Sequence, residues 1–227
     1  MSEQIKIRAF TTDPGTGDWR VVSEGACAYY RTSGLAESTR FAATLADVEG
    51  FSDQAFGIDI RRGGVLVRMV TERGDLFGLS QTDLEVARRI SEVAREMGLE
   101  ADPSRVQGLL IIPAGTDRTK IMPFWRAVMG YVPRPDSPEE DLVDPTDRNT
   151  PMWFEEMQDL RPGGLGAIHV AVWIGVEQAQ ARVDAALAAG GRMVRDDYAP
   201  SWWTLADAYG NEVDVSTIEY RDEPPPG

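Results

Sequence analysis

Two segments among the first hundred residues place hydrophobic side chains at helical spacing, and three short apolar runs fit strands. The predicted helices cover residues 34–48 and 80–98. The predicted strands cover residues 26–31, 57–62 and 65–71. Ser80 and Asp83 form a capping pair for the second helix, and Gly63-Gly64 suits a turn between the last two strands. The first half is therefore predicted to run β-α-β-β-α after an irregular arm at residues 1–18.

The second half of the sequence repeats one order of elements twice. The first unit has a strand at 106–113, a helix around 122–129 and strands near Tyr131, Leu142 and 152–157. The second unit has a strand at 168–174, a helix at 177–189 and strands near Met193, Trp203 and 213–218. Each unit is predicted to run β-α-β-β-β, which indicates an internal duplication. Residues 101–104 are predicted to link the two halves, and 221–227 form a proline-rich tail.

Composition narrows the classes of function. The 227 residues suffice for two domains of about 100 residues each. A formal net charge of -14 argues against nucleic acid or an anionic membrane surface as the partner, because both attract clustered Lys and Arg. The single cysteine, Cys27, cannot form an internal disulfide, and the N-terminus lacks the pattern of a signal peptide. A cytoplasmic protein is expected.

Residues 19–100 resemble the pterin-4a-carbinolamine dehydratases. The resemblance rests on Trp19, on Tyr29-Tyr30-Arg31, on the stretch 65–71 and on Gly78-Leu79-Ser80-Gln81-Thr82-Asp83. It implies an α/β sandwich in which histidines exchange the protons of a dehydration. Here those positions fall on Gln54, Ala55, Phe56 and Glu72, and only Asp83 is retained. We therefore expect a degenerate, inactive site in a domain kept for packing or dimerisation, with residual pterin binding or residual dehydration as the alternatives.

Residues 105–220 resemble the glyoxalase-like branch of the vicinal-oxygen-chelate superfamily. The residues that carry this resemblance are 123–131, 152–156, 168–170 and 207–212. It implies a fold of paired βαβββ repeats, so that the whole chain is expected to be an α+β protein of two domains. Members of both families commonly self-associate, and the resemblances therefore imply a homodimer.

The second resemblance also implies the site. His169 and Asp214 fall on ligand positions of the second repeat, with Glu212 on the same side of the last strand as Asp214. In the first repeat Glu155 or Glu156 offers a carboxylate, whereas the first strand, 108–112, offers no ligand. No cofactor is expected, and a divalent metal on His169, Glu155 and Asp214 is the open alternative. His169 could otherwise be a general base, an orienting group or a structural residue.

Large apolar side chains on or beside the same strands favour a bulky, hydrophobic ligand. They are Trp125, Met152, Phe154, Trp173, Trp202 and Trp203. Alternation sends Trp153 to the face opposite Met152 and Phe154, and it prevents Trp202 and Trp203 from pointing the same way. An enzyme of lyase, isomerase or cyclase type in specialised biosynthesis is the first hypothesis. A non-catalytic binding protein for a hydrophobic small molecule is the second. The alternative that these apolar side chains are ordinary core residues stays open.

Overall fold

The computed structural model describes residues 4–23, 25–73, 76–157, 168–206, 208, 210 and 212–221. Contacts divide the chain into two units, the first ending at Val106 and the second running from Gln107 to Arg221. Both units mix helices with sheets, as the sequence predicts. No helix among the described residues is long and apolar enough to cross a membrane.

The first unit contains a four-stranded antiparallel sheet in the order β1-β2-β4-β3. Its strands are β1 (Trp19–Val22), β2 (Gly25–Arg31), β3 (Ala55–Arg61) and β4 (Gly64–Met69). Its main helices are α2 (Leu35–Leu45) and α4 (Gln81–Glu96). Tyr30 of β2 packs edge-on against Phe41 of α2, and the indole N–H of Trp19 donates to the Ala87 carbonyl of α4. One face of this sheet therefore forms the core with both helices.

Short elements of the first unit were not predicted. They are α1 (Ile7–Thr11), α3 (Phe51–Gln54), β5 (Thr71–Arg73) and β6 (Leu76–Gly78), besides β1. Elements of three to five residues are too short to show a period. The arm is anchored by Phe10, which is buried against Trp19. Residues 101–105 pack on β2, where Asp102 donates its backbone N–H to the Tyr29 carbonyl, instead of forming a free linker.

The predicted hairpin in the first unit is confirmed, with a shift of its turn by one residue. Arg61 pairs with Gly64, so the turn is formed by Arg62 and Gly63. A Cβ atom at Gly64 would lie 2.4 Å from the Tyr29 side chain and 2.5 Å from the Tyr30 carbonyl oxygen. The close approach of the neighbouring backbone, and not the turn itself, is what requires glycine at position 64.

The second unit contains one nine-stranded sheet with two helices. The first repeat comprises β7 (Gln107–Gly115), α5 (Arg118–Met129), β8 (Val132–Pro133), β9 (Asp141–Val143), β10 (Met152–Trp153) and β11 (Glu155–Glu156). The second comprises β12 (Ile168–Ile174), α6 (Val176–Ala188), β13 (Arg192–Arg195), β14 (Trp202–Ala206) and β15 (Glu212–Ser216). The first strands of the two repeats, β7 and β12, pair antiparallel at the centre of the sheet. The predicted β-α-β-β-β order is found in the second repeat, whereas in the first repeat the predicted strand at 152–157 is divided into β10 and β11.

Both helices of the second unit cover the same face of the sheet. Under α5 lies a cluster of Tyr131, Leu142, Met152 and Phe154, with Trp125 packed against it. Under α6 lies a cluster of Ile174, Ala179, Val183, Trp203, Leu205 and Val215. Ile111 and Val172 pack against these clusters, and the pairing of β7 with β12 puts both on one side. The alternate residues of each strand therefore point to the other side, which we call the His169 face.

Candidate functional site

His169 and Asp214 form an ion pair on the His169 face. His169 Nε2 and Asp214 Oδ2 are 3.3 Å apart, and about one seventh of each side chain is exposed (14% and 15%). Parallel pairing of β12 with β15 places Asp214 beside Ala171, two residues along the strand from His169. Because Ala171 is small, the carboxylate reaches the imidazole diagonally. The arrangement fixes the Nε2–H tautomer of the neutral ring and leaves the Nδ1 lone pair for a proton.

Thr204 fixes the other oxygen of Asp214. The two residues are direct partners in the antiparallel pairing of β14 with β15. The Thr204 hydroxyl donates to Asp214 Oδ1 at 2.7 Å, while Oδ2 faces His169. Both carboxylate oxygens are thus engaged, and three strand residues form the series Thr204–Asp214–His169.

Two more carboxylates act on His169 through their charge. Burial alone would lower the pKa of His169, but the hydrogen bond and charge of Asp214, with the charges of Glu155 and Glu212, raise it above its ordinary value of 6.5. The predicted acidic residues are therefore gathered around one imidazole, whereas Glu156 is exposed. Edge strand β13 pairs Arg192 with Ala206 and Arg195 with Thr204, which adds two cations to the rim of this face.

The rest of the His169 face is largely apolar. Ile112 lies directly opposite His169, and Leu110 lies opposite Ala171. The pairing of Met152 with Ile111 puts Trp153 beside Ile112, with 37% of Trp153 exposed. These side chains border the imidazole from the first repeat.

Two tryptophans border the other end of the face. Trp173, Ser216 and Trp202 follow one another across β12, β15 and β14. Trp202 stacks on Tyr198 at 4.1 Å between ring centroids, and the Arg221 guanidinium lies 5.3 Å from the Trp173 ring centre. Trp173 lies four residues along β12 from His169, a span of about 13 Å along a strand.

A comparison with protein families identifies the second unit. The family model for the glyoxalase-like domain matches residues 111–216. These residues form a glyoxalase-like domain. No curated protein matches the sequence.

Two solved structures resemble about half of the chain. A protein described as an NAD-dependent benzaldehyde dehydrogenase from Legionella pneumophila is 10% identical, with a TM-score of 0.36 over 48% of this chain and 97% of its own. A glyoxalase/bleomycin resistance protein/dioxygenase superfamily member from Vibrio splendidus 12B01 is 12% identical, with a TM-score of 0.32 over 49% of this chain and 99% of its own.

The expected ligand-binding residues lie on both sides of the sheet of the glyoxalase-like domain. Met152 and Phe154 are fully buried beneath α5, Trp125 packs against the same cluster, and Trp203 is buried beneath α6. Only Trp173 and Trp202 of that set lie on the His169 face. Trp153 was named beside this set but not included in it, and Ile112 and Thr204 were missed. Trp153 and Thr204 each stand two residues from a residue already singled out, Glu155 and Trp202, so strand alternation was the available signal.

The donor atoms of the glyoxalase-like domain do not fit a divalent metal. Within the part of the chain that the structure describes, no three His, Cys, Asp or Glu side chains are grouped to hold one. Ile112 carries no donor at the position opposite His169, and Thr204 already occupies Asp214 Oδ1. Catalytic zinc sites use three protein ligands, so His169 with Asp214 falls short.

Among the degenerate pterin positions, the structure describes the side chains of Glu72 and Asp83. Gln54 ends α3 and Ala55 begins β3, while the side chains of Gln54, Ala55 and Phe56 lie outside those described. Glu72 is exposed on β5. Asp83 is fully buried and accepts hydrogen bonds from the Thr71 hydroxyl at 2.6 Å and from the backbone N–H of Ser80 at 2.7 Å. Asp83 thus completes the capping box of α4, as the sequence predicts.

A separate cavity of about 590 Å³ lies along α5 in the second unit. It is lined by Thr119, Met122, Pro123, Arg126, Ala127, Gly130, Tyr131, Pro133, Pro138 and Glu139. Since α5 packs on the opposite side of the sheet, this cavity contains none of the residues around His169.

Proposed function

We propose that the glyoxalase-like domain is an enzyme of lyase or isomerase type that acts on an apolar small molecule, with His169 as its proton-transfer group. The observation that carries the proposal is the series Thr204–Asp214–His169, which stands on a sheet face bordered by Ile112 and Trp153. A lone imidazole held by a carboxylate, next to apolar surface, is the arrangement that general acid–base catalysis requires.

The proposed chemistry begins with removal of a proton from carbon next to a carbonyl group. Nδ1 of His169 takes the proton, and the electron pair of the C–H bond moves onto the carbonyl oxygen as an enolate. Asp214 stabilises the imidazolium through Nε2. In a β,γ-unsaturated carbonyl substrate, return of that proton to the γ-carbon re-forms the carbonyl and moves the C=C bond to the α,β position, which completes an isomerisation. Transfer of that proton to a departing oxygen group on the neighbouring carbon, as the enolate re-forms the carbonyl, completes an elimination.

The raised pKa of His169 supports this role. Asp214, Glu155 and Glu212 together raise the pKa of the imidazole above its ordinary value although burial lowers it, so the ring takes up a proton more readily than a free histidine. We assign Asp214 to orientation of the ring, and Glu155 and Glu212 to tuning of its charge. Trp173 and Trp202 supply aromatic surface for the remote part of a substrate about 13 Å long.

Hydrogen–deuterium exchange tests the proposal even when the product of the reaction is unidentified. The full chain is incubated in D₂O with a panel of apolar ketones and aldehydes, and loss of the α-proton signal is followed by NMR. We expect His169→Gln to slow exchange by about 100-fold or more, and Asp214→Asn by about 10-fold or more. Glu156→Gln is the matched control, since Glu156 neighbours Glu155 but is exposed and takes no part. Exchange that His169→Gln leaves unchanged would remove the proposal.

A non-catalytic binding protein is the second candidate. The exposure of Trp153 on the same face as Trp173 and Trp202 favours it, because exposed tryptophan surface suits capture of flat apolar molecules. Ligand that binds, quenches tryptophan fluorescence and is recovered chemically unchanged after long incubation, with no deuterium incorporated, would favour this candidate over catalysis.

For residues 19–100 we propose a structural role in place of pterin dehydration. Asp83, the retained residue, is fully buried with its Oδ2 bound by Thr71 and Ser80, and Glu72 is exposed. A carbinolamine dehydration rate above that of buffer, sensitive to Glu72→Gln, would contradict this. The homodimer and the functional boundaries 19–100 and 105–220 stay predictions.

A further inference from the structure

Position 112 is the closest approach of the first repeat to His169. Ile112 is the direct antiparallel partner of His169, and paired side chains on one face have Cβ atoms about 4.5–5.5 Å apart. Ile112 is buried, with 4% exposed, so its apolar side chain fills the space beside the imidazole. A metal ion bound to His169 from the centre of the face would have to occupy that space.

Asp214 already faces the imidazole. The Thr204 hydroxyl donates to Oδ1 and His169 Nε2 lies against Oδ2, so a metal between the imidazole and the carboxylate would have to replace their direct contact. Glu155 pairs with Ala114, one step beyond Ile112 on the same side of β7, and it is close enough for its charge to act on His169. His169 and Asp214 are therefore in direct contact, Glu155 lies on the same side of β7 as Ile112, and the position opposite the imidazole is aliphatic.

We propose that Ile112 is the specificity-determining residue that keeps His169 free of metal, so that this glyoxalase-like domain works by proton transfer alone. The inference rests on the proposed function for the role of His169, but its claim about metal binding does not require turnover. It predicts that one donor at position 112 is enough to create a site with His169, Asp214 and Glu155.

The first experiment is a metal challenge of the natural chain. His169 is the one histidine in the sequence, so its ring protons give unambiguous NMR signals. The chelator-treated full chain is titrated with Co²⁺, a paramagnetic probe that accepts N and O ligands. We expect no saturable shift or broadening of the His169 signals up to about 1 mM Co²⁺. Saturable binding at His169 in the micromolar range overturns the proposal.

The second experiment is a gain of binding. Ile112→His is compared with Leu110→His, which places the same side chain on the same strand and face but opposite Ala171. We expect Ile112→His to bind Co²⁺ at least ~100-fold more tightly than Leu110→His, with the intense visible bands of tetrahedral coordination. Ile112→Glu provides an oxygen donor as a second variant. Folded Ile112 variants that bind no more tightly than Leu110→His overturn the assignment of position 112.

These outcomes are separable from failure of the proposed function. Deuterium exchange that is insensitive to His169→Gln removes the catalytic role of His169 and leaves the metal result standing. Micromolar Co²⁺ binding to the natural chain removes the metal-free assignment even if His169→Gln abolishes exchange.

Discussion

Two aspartates in this chain each accept a hydrogen bond from a threonine hydroxyl at nearly the same distance, 2.6 Å between Thr71 and Asp83 and 2.7 Å between Thr204 and Asp214. In the first unit Asp83 is fully buried, and its partners are groups that do not titrate near neutral pH. In the second unit Asp214 is partly exposed and turns its other oxygen to an imidazole. The same pair of residue types, threonine and aspartate, therefore caps a helix in the first unit and orients His169 in the second.

The two carboxylates differ in their electrostatic environment because Asp83 is shielded from solvent and Asp214 is partly exposed. Burial raises the pKa of Asp83 despite the hydrogen bonds from Thr71 and Ser80, and Oδ1 of Asp83 has no hydrogen-bond partner among the described atoms. The charge of Asp214 is balanced by His169 when the ring is protonated. Asp83, which is buried among hydroxyl and backbone donors, has a structural role. Asp214 contacts an imidazole on a partly exposed face of the sheet, so it can take part in proton transfer.

Removal of the enclosed carboxylate has the largest expected effect. Asp83→Ala leaves the Thr71 hydroxyl and the Ser80 N–H without their acceptor, and we expect α4 to lose about 2–4 kcal/mol of protection. Hydrogen-exchange mass spectrometry of the full chain measures it on the α4 peptides. Glu92→Ala, at an exposed position of the same helix, is the control. Equal protection in both variants would mean that the capping box contributes little.

Loss of each threonine hydroxyl sharpens the comparison. Thr71→Val is expected to cost about 1–2 kcal/mol, because it leaves a buried carboxylate with one donor fewer. Thr204→Val should change stability by less than about 0.5 kcal/mol, since the site is partly solvated. It should instead lower the pKa of His169 in an NMR titration, because Asp214 is no longer held in place, and Thr204→Ser should restore it. A Thr204→Val chain with an unchanged titration would reduce Thr204 to packing.

The smallest effect is expected in the pH dependence of stability. The pKa of His169 is raised on folding, so the pair with Asp214 stabilises the folded chain fully below pH 6.5 and loses that contribution as the pH rises through the folded pKa. Glu155, Glu212 and Asp214 favour this behaviour, and the rim residues Arg192 and Arg195 oppose it. Urea unfolding of the natural chain between pH 5.5 and pH 8, values chosen around the ordinary pKa of histidine, should show the loss, and Asp214→Asn should remove it.

Local signals in the sequence were enough to predict the elements whose stabilising contacts lie within a few residues along the chain. The capping box of α4 needs only Ser80 and Asp83, three residues apart, and the repeated β-α-β-β-β order needs only apolar periodicity. Alternation also separated Trp153 from Met152 and Phe154. Strand alternation does not indicate which side of the sheet α5 covers. Met152 and Phe154 were therefore expected to contact a ligand, whereas they lie beneath α5.

The site depends on strand pairing, which no local signal contains. Thr204 and Asp214 meet because β14 and β15 pair in one register, and Asp214 reaches His169 because β15 pairs with β12. Ile112 is notable only once β7 is known to oppose β12. The acidic residues and His169 could be named from resemblance, but the partner of each could not.

The register of the parallel pairing between β12 and β15 also determines whether the site forms. A slip of one residue along β15 would turn Asp214 toward α6 and bring Val213 or Val215 to the imidazole. The carboxylate would then lie among Val183, Leu205 and Trp203, where an unpaired charge is strongly unfavourable. The contact between Asp214 and His169 therefore forms only when β15 is in its native register. A chain in which β15 is out of register would lack this contact and, with it, the proposed base.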